Sequence, residues 1–137
     1  MINENLKEYI ENQQIRDHNT FHITLVNVMQ FQKLMKEGKS ELLHTLINKN
    51  FDLFNYGIGT TVDNKKDSQA WFSVLENGYL DTFREHLGLD KQHYHITLAF
   101  KNTDVFIHPK DKKSVIFNPT VIWDFISQPR VKPKLKF

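Results

Sequence analysis

The sequence of 137 residues contains no cysteine. Disulfide scaffolds, thiolate zinc sites and cysteine nucleophiles are therefore excluded, and the composition is compatible with a cytoplasmic protein. The net charge is also small, because 18 Lys and Arg residues against 16 Asp and Glu residues leave a formal charge of +2. Such a balance does not demand a nucleic acid partner, although local basic clusters could still bind phosphate.

Long apolar runs are missing as well. The first residues, MINENLKEYIENQQ, alternate polar and apolar types, which predicts neither a secretory signal nor a membrane span. The overall composition, with 39% hydrophobic, 12% aromatic and 25% charged residues, is typical of a soluble globular protein. A chain of this length can bury one hydrophobic core, so we expect a single domain over residues 1–137.

The motif HITL occurs twice in the chain, each time after an aromatic residue, as FHITL over residues 21–25 and as YHITL over residues 94–98. Both copies alternate and are rich in strand-favouring residues, which predicts a strand for each. Side chains two apart on a strand project from the same face about 7 Å apart, so His22 shares a face with Thr24, and His95 with Thr97. The intervening Ile and Leu residues face the other way, toward a core.

The remaining pattern predicts an α+β chain. Helical spacing of apolar residues predicts helices over residues 4–13, 30–37, 41–48 and 79–87, the last ending at Gly88. Strands are predicted over residues 21–28, 51–62, 70–77 and 93–100, with short strands in VFIH, SVIF and TVIWDF and an extended basic tail in RVKPKLKF. Each HITL copy therefore adjoins helical sequence.

Two imidazoles that face one cleft suit general acid-base chemistry, in which one accepts a proton from a nucleophile and the other donates one to a leaving oxygen. The threonine hydroxyls can donate hydrogen bonds to phosphate oxygens. Phosphodiester cleavage fits this set of groups. The Asp and Glu residues form no evident metal signature, so we expect neither a metal ion nor another cofactor.

These two motifs resemble the paired His-x-Thr/Ser motifs of the 2H phosphoesterases, which include 2′-5′ RNA ligase-like enzymes and cyclic phosphodiesterases. The order of AWFSVLEN, YLDTFREHLGL and HYHITLAF is similar to the segment before the second motif of that family. The resemblance implies a bilobal α+β fold with two antiparallel sheet halves around a central cleft and helices outside. It further implies that His22 and His95 are the catalytic pair, and that Thr24 and Thr97 bind the substrate phosphate.

The resemblance also implies a substrate class, namely a 2′,3′-cyclic phosphate or a 2′-5′ linkage at an RNA end or on a small nucleotide. Ligase-like members often have proline before the second His and a basic residue where Phe100 stands, and this sequence has neither. The ending HITLAF followed by DVF is closer to the Swiss army knife subgroup, proposed for RNA repair. A phage-type phosphodiesterase that degrades cyclic oligonucleotide signals is an alternative, as is a noncatalytic nucleotide-binding module. We expect a monomer in the cytoplasm.

Four side chains are further candidates for substrate contacts. Tyr56, Trp71 and Phe106 could stack on a nucleobase, although core packing is the simpler role for a single ring, and Trp123 is a similar candidate. His93 has the parity of the second motif and could line the rim of the cleft. The basic cluster that includes Lys110 and the basic tail are expected to be solvated surface. Two other interpretations of residues 93–97 fit less well. A histidine-triad hydrolase needs a third His where Thr97 stands, and a zinc site needs more ligands than the spacing provides.

Overall fold

The computed structural model describes residues 4–46, 49, 51 and 53–117, and the backbone of residues 134–136. Among these residues there are three α-helices, namely α1 (Glu4–Arg16), α2 (Val28–Lys36) and α3 (Gly78–His86). Short 3₁₀ helices cover Ser40–Leu46, Asn64–Lys66 and Lys112–Ser114. The helices predicted near residues 4–13, 30–37 and 79–87 are thereby confirmed. The helix α3 ends before Gly88, whose φ of 77° is the left-handed geometry expected there.

The strands are β1 (His22–Thr24), β2 (Phe54–Asp63), β3 (Ser68–Glu76), β4 (Tyr94–Lys101), β5 (Val115–Phe117) and β6 (Lys134–Lys136). Four of them form an antiparallel sheet in the order β4-β3-β2-β5, and β1 pairs with β6 in parallel. Mixed helices and sheets agree with the α+β prediction. The described strands of the smaller sheet differ from the expected antiparallel pairing, because β1 and β6 run in parallel and are joined by nearly the whole chain. The bilobal arrangement around a central cleft stays a prediction.

Successive side chains of a strand point to opposite faces of the sheet. On β4 the side chains of Tyr94, Ile96 and Leu98 enter the main core cluster, which also takes Phe21, Ile23 and Leu25 from the β1 region. The other members of this cluster come from α2, the first 3₁₀ helix, β2, β3 and α3 (Leu34, Leu43, Leu46, Ile58, Leu75 and Leu80) and from the adjoining loops (Val26, Leu87 and Leu89). This shared core holds β1 and α3 on the same side of the sheet.

Three predicted elements differ from the structure. The first strand stops at Thr24 instead of residue 28, because Asn27 caps α2 and forms a reciprocal pair of hydrogen bonds with Gln30. Residues 41–48 were predicted as α-helix, but the described part is a 3₁₀ helix. The predicted strand in VFIH is wrong, since the amide of Val105 donates to the Asp104 carboxylate instead of to a neighbouring strand. The predicted strand in TVIWDF and the position of Trp123 lie outside the described residues.

Candidate active site

The second motif lies on the face of the sheet opposite the main core. In the β3–β4 register His95 is opposite Val74, and Thr97 is opposite Phe72. Opposed residues of antiparallel strands share a face, so His95, Thr97 and Phe72 lie on one surface, as the alternation predicts. The Phe72 ring meets the His95 ring edge to face, with the centroids 6.2 Å apart. This aromatic contact fixes one side of the imidazole.

The first motif lies beside the second, because β1 packs next to β4. Phe21, Ile23 and Leu25 are buried, whereas His22 and Thr24 are partly exposed, which is the predicted alternation. The side-chain amide of Gln92, just before β4, donates a 2.9 Å hydrogen bond to the carbonyl oxygen of Thr24. That hydrogen bond ties the end of β1 to the beginning of β4, and it brings the two motifs together.

A buried carboxylate, Asp104, organises the second motif. Its side chain is only 4% exposed and accepts hydrogen bonds from the Thr97 hydroxyl at 3.1 Å, the Lys110 ammonium at 2.8 Å and the Arg16 guanidinium at 2.6 Å. A fourth hydrogen bond comes from the Val105 amide. Since an ionised carboxylate offers about four acceptor positions, these donors saturate Asp104.

A second carboxylate, Asp17, lies beside the first motif. One of its oxygens is 3.9 Å from Nδ1 of His22. Arg16 binds both carboxylate oxygens, at 2.9 and 2.7 Å, and Gln13 donates to one of them at 3.1 Å. Because Arg16 also binds Asp104, one guanidinium connects the carboxylate beside His22 with the carboxylate that holds Thr97.

The electrostatic surroundings of His95 disfavour its protonated form. Burial lowers the pKa of His95 from 6.5 to about 4, and the positive charges of Lys110, His22 and Arg16 act in the same direction, while Asp104 opposes them. His95 is therefore neutral near pH 7, and a neutral imidazole has one unprotonated ring nitrogen that can accept a proton. A neutral imidazole is the form that a general base requires.

Desolvation and ion pairing act in opposite directions on the buried pair of Asp104 and Lys110. Burial by itself would raise the pKa of Asp104, but Lys110 and Arg16 hold it below its usual value. Burial lowers the pKa of Lys110, and Asp104 opposes that change. Asp17 also has a lowered pKa, since Arg16, Gln13 and His22 outweigh the effect of its burial. The site thus contains two carboxylates whose negative charges are stabilised by local cations and donors.

Two of the predicted stacking residues are engaged by the protein itself. Trp71 is stacked on Tyr9 of α1, with centroids 5.5 Å apart and planes 14° from parallel. The ring of Tyr56 is covered by the Lys112 ammonium at 4.0 Å, and its hydroxyl hydrogen-bonds to Glu76. One face of each ring is therefore occupied, and their roles as substrate contacts remain predictions.

Phe106 and His93 have more open positions. Phe106 is 79% exposed, and the Lys110 ammonium lies 5.2 Å from its ring centroid, which places the ring next to the network around Asp104. His93 is exposed and lines a small open pocket together with Glu76, Asp81, Lys91 and Gln92. Because Gln92 also binds the carbonyl of Thr24, this pocket adjoins the end of the first motif.

Sequence reasoning missed the residues that connect the motifs. Arg16, Asp17 and Asp104 received no role, and Lys110 was expected on the solvated surface, whereas its side chain is only 4% exposed. No periodic pattern marks these residues, because they lie in a helix end and in irregular loops. The available signal was their position, since Asp17 precedes the first motif by five residues and Asp104 follows Thr97 by seven.

Within the described part of the chain, no group of three His, Asp or Glu side chains is arranged to hold a metal ion. Among the same residues, no helix has both the length and the apolar character needed to cross a bilayer.

Comparison with protein families identifies the class of this chain. Residues 1–106 match the model of a 2H phosphoesterase domain, and the match covers more than half of the sequence. The chain therefore belongs to the 2H phosphoesterases, which confirms the resemblance drawn from the two motifs. Within that class the matching model is the Swiss Army Knife domain. Comparisons with curated proteins and with solved structures returned no match.

Proposed function

We propose that this protein cleaves nucleotide or RNA phosphodiesters by acid-base catalysis with His22 and His95, and that it needs no metal ion. One observation supports this most directly: the two motif strands pack together, near enough for the charge of His22 to act on His95. A phosphate bound between the two rings would have one imidazole available for the attacking oxygen and one for the leaving oxygen.

For a 2′,3′-cyclic phosphate the proposed reaction is a hydrolysis. Water attacks phosphorus and forms a new P–O bond while one imidazole takes a proton from that water. The P–O bond to the 2′ or the 3′ oxygen breaks, and the other imidazole gives its proton to that oxygen. The product is a phosphate monoester with one free hydroxyl, and proton exchange with solvent restores both histidines. With a 2′-5′ linkage the neighbouring 3′ hydroxyl can replace water as the nucleophile.

The proposed phosphate contact of Thr97 requires its hydroxyl to rotate. A hydroxyl has one hydrogen, and Thr97 donates that hydrogen to Asp104 in this structure. When phosphate binds, Thr97 would donate to a phosphate oxygen instead. Asp104 can release this hydrogen bond without becoming unsatisfied, because Lys110, Arg16 and the Val105 amide still donate to it. Thr24 would make the corresponding contact from the first motif.

We further propose that the substrate is an RNA end or a small nucleotide, and that the protein acts as a monomer. The exposed ring of Phe106 supports a nucleotide because it offers a stacking surface beside the Asp104 network. Stacking of a base on an aromatic side chain contributes about 1–3 kcal/mol.

The test is a substrate panel with matched variants. Purified protein is incubated with 2′,3′-cyclic mononucleotides, RNA ending in a cyclic phosphate, 2′-5′ oligomers and cyclic oligonucleotides, and the products are identified by mass. We expect cleavage of at least one of these, unchanged by EDTA. His22→Ala and His95→Ala should each lower kcat/KM at least a hundredfold, since general acid-base groups contribute about 10²- to 10⁴-fold. His44→Ala makes the same change at an exposed position away from both motifs and should leave the rate unchanged.

Other results of this substrate panel would contradict specific parts of the proposed function. Full activity in either motif variant would exclude acid-base catalysis by that histidine. Loss of activity in EDTA that added metal restores would overturn the metal-independent mechanism. Tight, salt-sensitive binding of a nucleotide without any product would favour a noncatalytic binding module instead. Cleavage confined to cyclic oligonucleotides would identify the phage-type alternative.

A further inference from the structure

The two histidines have opposite electrostatic surroundings. Nδ1 of His22 faces the Asp17 carboxylate at 3.9 Å, and Arg16 and Gln13 hold that carboxylate in place. A fixed carboxylate stabilises positive charge on a neighbouring imidazole, as is needed by a group that must carry a proton to a leaving oxygen.

The surroundings of His95 include a cation, Lys110. The Lys110 ammonium lies 5.7 Å from the centroid of the Phe72 ring, and that ring is in edge contact with His95. The charged groups that act on His95 are Lys110 and Asp104 from the loop after β4, Arg16 from α1 and His22 from β1. Three of these four groups are cations or can become cations. They oppose a second positive charge on His95 and favour the form that accepts protons.

We propose that Lys110 and Asp17 are positioning residues that divide the catalytic roles, so that His95 beside Lys110 is the general base and His22 beside Asp17 is the general acid. This inference rests on the proposed function, and it assigns the two roles that the motifs leave open. Paired titratable groups whose surroundings favour opposite protonation states are the usual basis for such an assignment. Lys110 lies outside residues 1–106, the part of the chain that matches the family model.

Burial of the Lys110 ammonium has a cost in solvation free energy. A Lys side chain with 4% exposure has lost nearly all of its hydration, and the Asp104 carboxylate, which it contacts at 2.8 Å, offsets part of that cost. The positive field of the ammonium still acts on His95, on the face of the sheet that carries His95 and Thr97, although Asp104 opposes it. That field would also stabilise the negative charge that accumulates on the phosphoryl group in the transition state.

The first experiment assigns the acid by changing the leaving group. In a 4-nitrophenyl ester of a nucleotide 3′-phosphate, the 2′ hydroxyl loses its proton to the base and attacks phosphorus, and the P–O bond to the aryl group breaks. The leaving nitrophenolate needs no proton, so the acid becomes dispensable while the base is still required. We expect His22→Ala to be within about tenfold of the wild type on this ester, although it loses at least a hundredfold on a diester with a ribose leaving group. Asp17→Asn should show the same selective recovery, and His95→Ala should be inactive on both substrates.

The second experiment measures His95 without any substrate. NMR titration of the imidazole in the unliganded protein should show that Lys110→Met raises the pKa of His95 by about one unit, whereas Lys110→Arg leaves it near the wild-type value. Lys113→Met removes the same charge from an exposed position three residues away and should leave the titration unchanged. If Lys110→Met does not fold, Lys110→Gln removes the charge and retains a hydrogen-bond donor for Asp104.

The outcomes separate this assignment from the function on which it depends. If the wild type cleaves no phosphodiester of the panel or the aryl ester, the proposed function fails. If the wild type is active but the aryl ester restores His95→Ala instead of His22→Ala, the roles are reversed and the assignment fails alone. A pKa of His95 that is the same in Lys110→Met, or in Lys110→Gln, as in Lys113→Met would overturn the role of Lys110.

Discussion

At the scale of single residues, Asp104 determines how the second motif is presented. Its four hydrogen bonds fix the Thr97 hydroxyl, the Lys110 ammonium and the Arg16 guanidinium around one buried point. Removing this carboxylate would leave the buried Lys110 ammonium without its carboxylate partner, and breaking a buried ion pair usually costs about 3–5 kcal/mol. We therefore regard Asp104 as a support for the site, distinct from the groups that would touch the substrate.

A prediction at this scale concerns Phe106. Phe106→Ala should raise KM for a nucleotide substrate roughly fivefold to a hundredfold with little change in kcat, because base stacking contributes about 1–3 kcal/mol and does not act on the reacting atoms. Steady-state kinetics measures this, and Phe106→Tyr should retain the wild-type KM. The neighbouring Ile107 is also exposed but has no ring, so Ile107→Ala is the matched control. Equal effects of the two alanine variants would contradict the stacking role.

The residues of the site differ in how well the sequence reveals them. His22, Thr24, His95 and Thr97 could be grouped because strand alternation fixes which side chains share a face. Arg16 and Asp104 could not be grouped with them, because they are 88 positions apart and meet only where α1 packs on β4. Contacts of this kind depend on the packing of whole elements, which no local spacing encodes.

At the scale of elements, the strand that carries Gly59 must approach its neighbours closely. A Cβ on Gly59 would lie 2.5 Å from the carbonyl oxygen of Ser114 and 2.8 Å from the Phe72 ring. The sheet therefore needs glycine here, because the Ser114 carbonyl and the Phe72 ring occupy the space that a side chain would take. Since Phe72 contacts both His95 and Lys110, this position supports the site as well as the sheet.

The corresponding prediction compares two glycines. Gly59→Ala should lower the free energy of unfolding by about 1–3 kcal/mol, because overpacking forces backbone or ring displacement. Urea denaturation measures this change. Gly78→Ala is the control, since nothing lies within 4 Å of a Cβ there, and alanine in the first turn of α3 should be neutral or stabilise by up to about 1 kcal/mol. Similar destabilisation by both substitutions would argue against the close approach at Gly59.

Two elements show that the local pattern of apolar residues does not by itself determine the secondary structure. The apolar stripe over residues 41–48 suits an α-helix, but the buried residues Leu43 and Leu46 are three apart, which matches the three-residue turn of the 3₁₀ helix, and Leu42 is exposed. The segment VFIH has strand-favouring residues, yet only Val105 is buried, and Phe106 and Ile107 are exposed. Short apolar runs permit several structures, and tertiary contacts select among them.

At the scale of the whole molecule, the titration of His95 links stability to pH. The folded-state pKa of about 4 lies below the ordinary value of 6.5, so the unfolded chain binds a proton first as the pH falls. The contribution of His95 is fully present above pH 6.5 and is lost as the pH decreases toward 4. Asp17 and Asp104 also contribute stability, because their folded-state pKa values lie below the ordinary value of 3.8. Their contributions are lost mainly below about pH 4, outside the range in which His95 acts.

We therefore predict a specific pH dependence. Between pH 7.5 and pH 5 the wild type should lose about 2 kcal/mol more of its free energy of unfolding than His95→Asn does. Urea denaturation at the two pH values measures the difference. His44→Asn replaces an exposed histidine and should keep the dependence of the wild type. The same pH dependence in His95→Asn and the wild type would show that the titration of His95 is not responsible.

The sequence by itself determined the repeated His-x-Thr strands, the facing of their side chains and most helices, because these follow from the periodicity of neighbouring residues. It also indicated the 2H phosphoesterase family. Only the tertiary structure decided that β1 pairs in parallel with β6, and that Asp17 faces His22 while Lys110 and Asp104 lie near His95. The physical reason is that electrostatic surroundings depend on distances between elements far apart in the chain. These distances are set by packing of the common core.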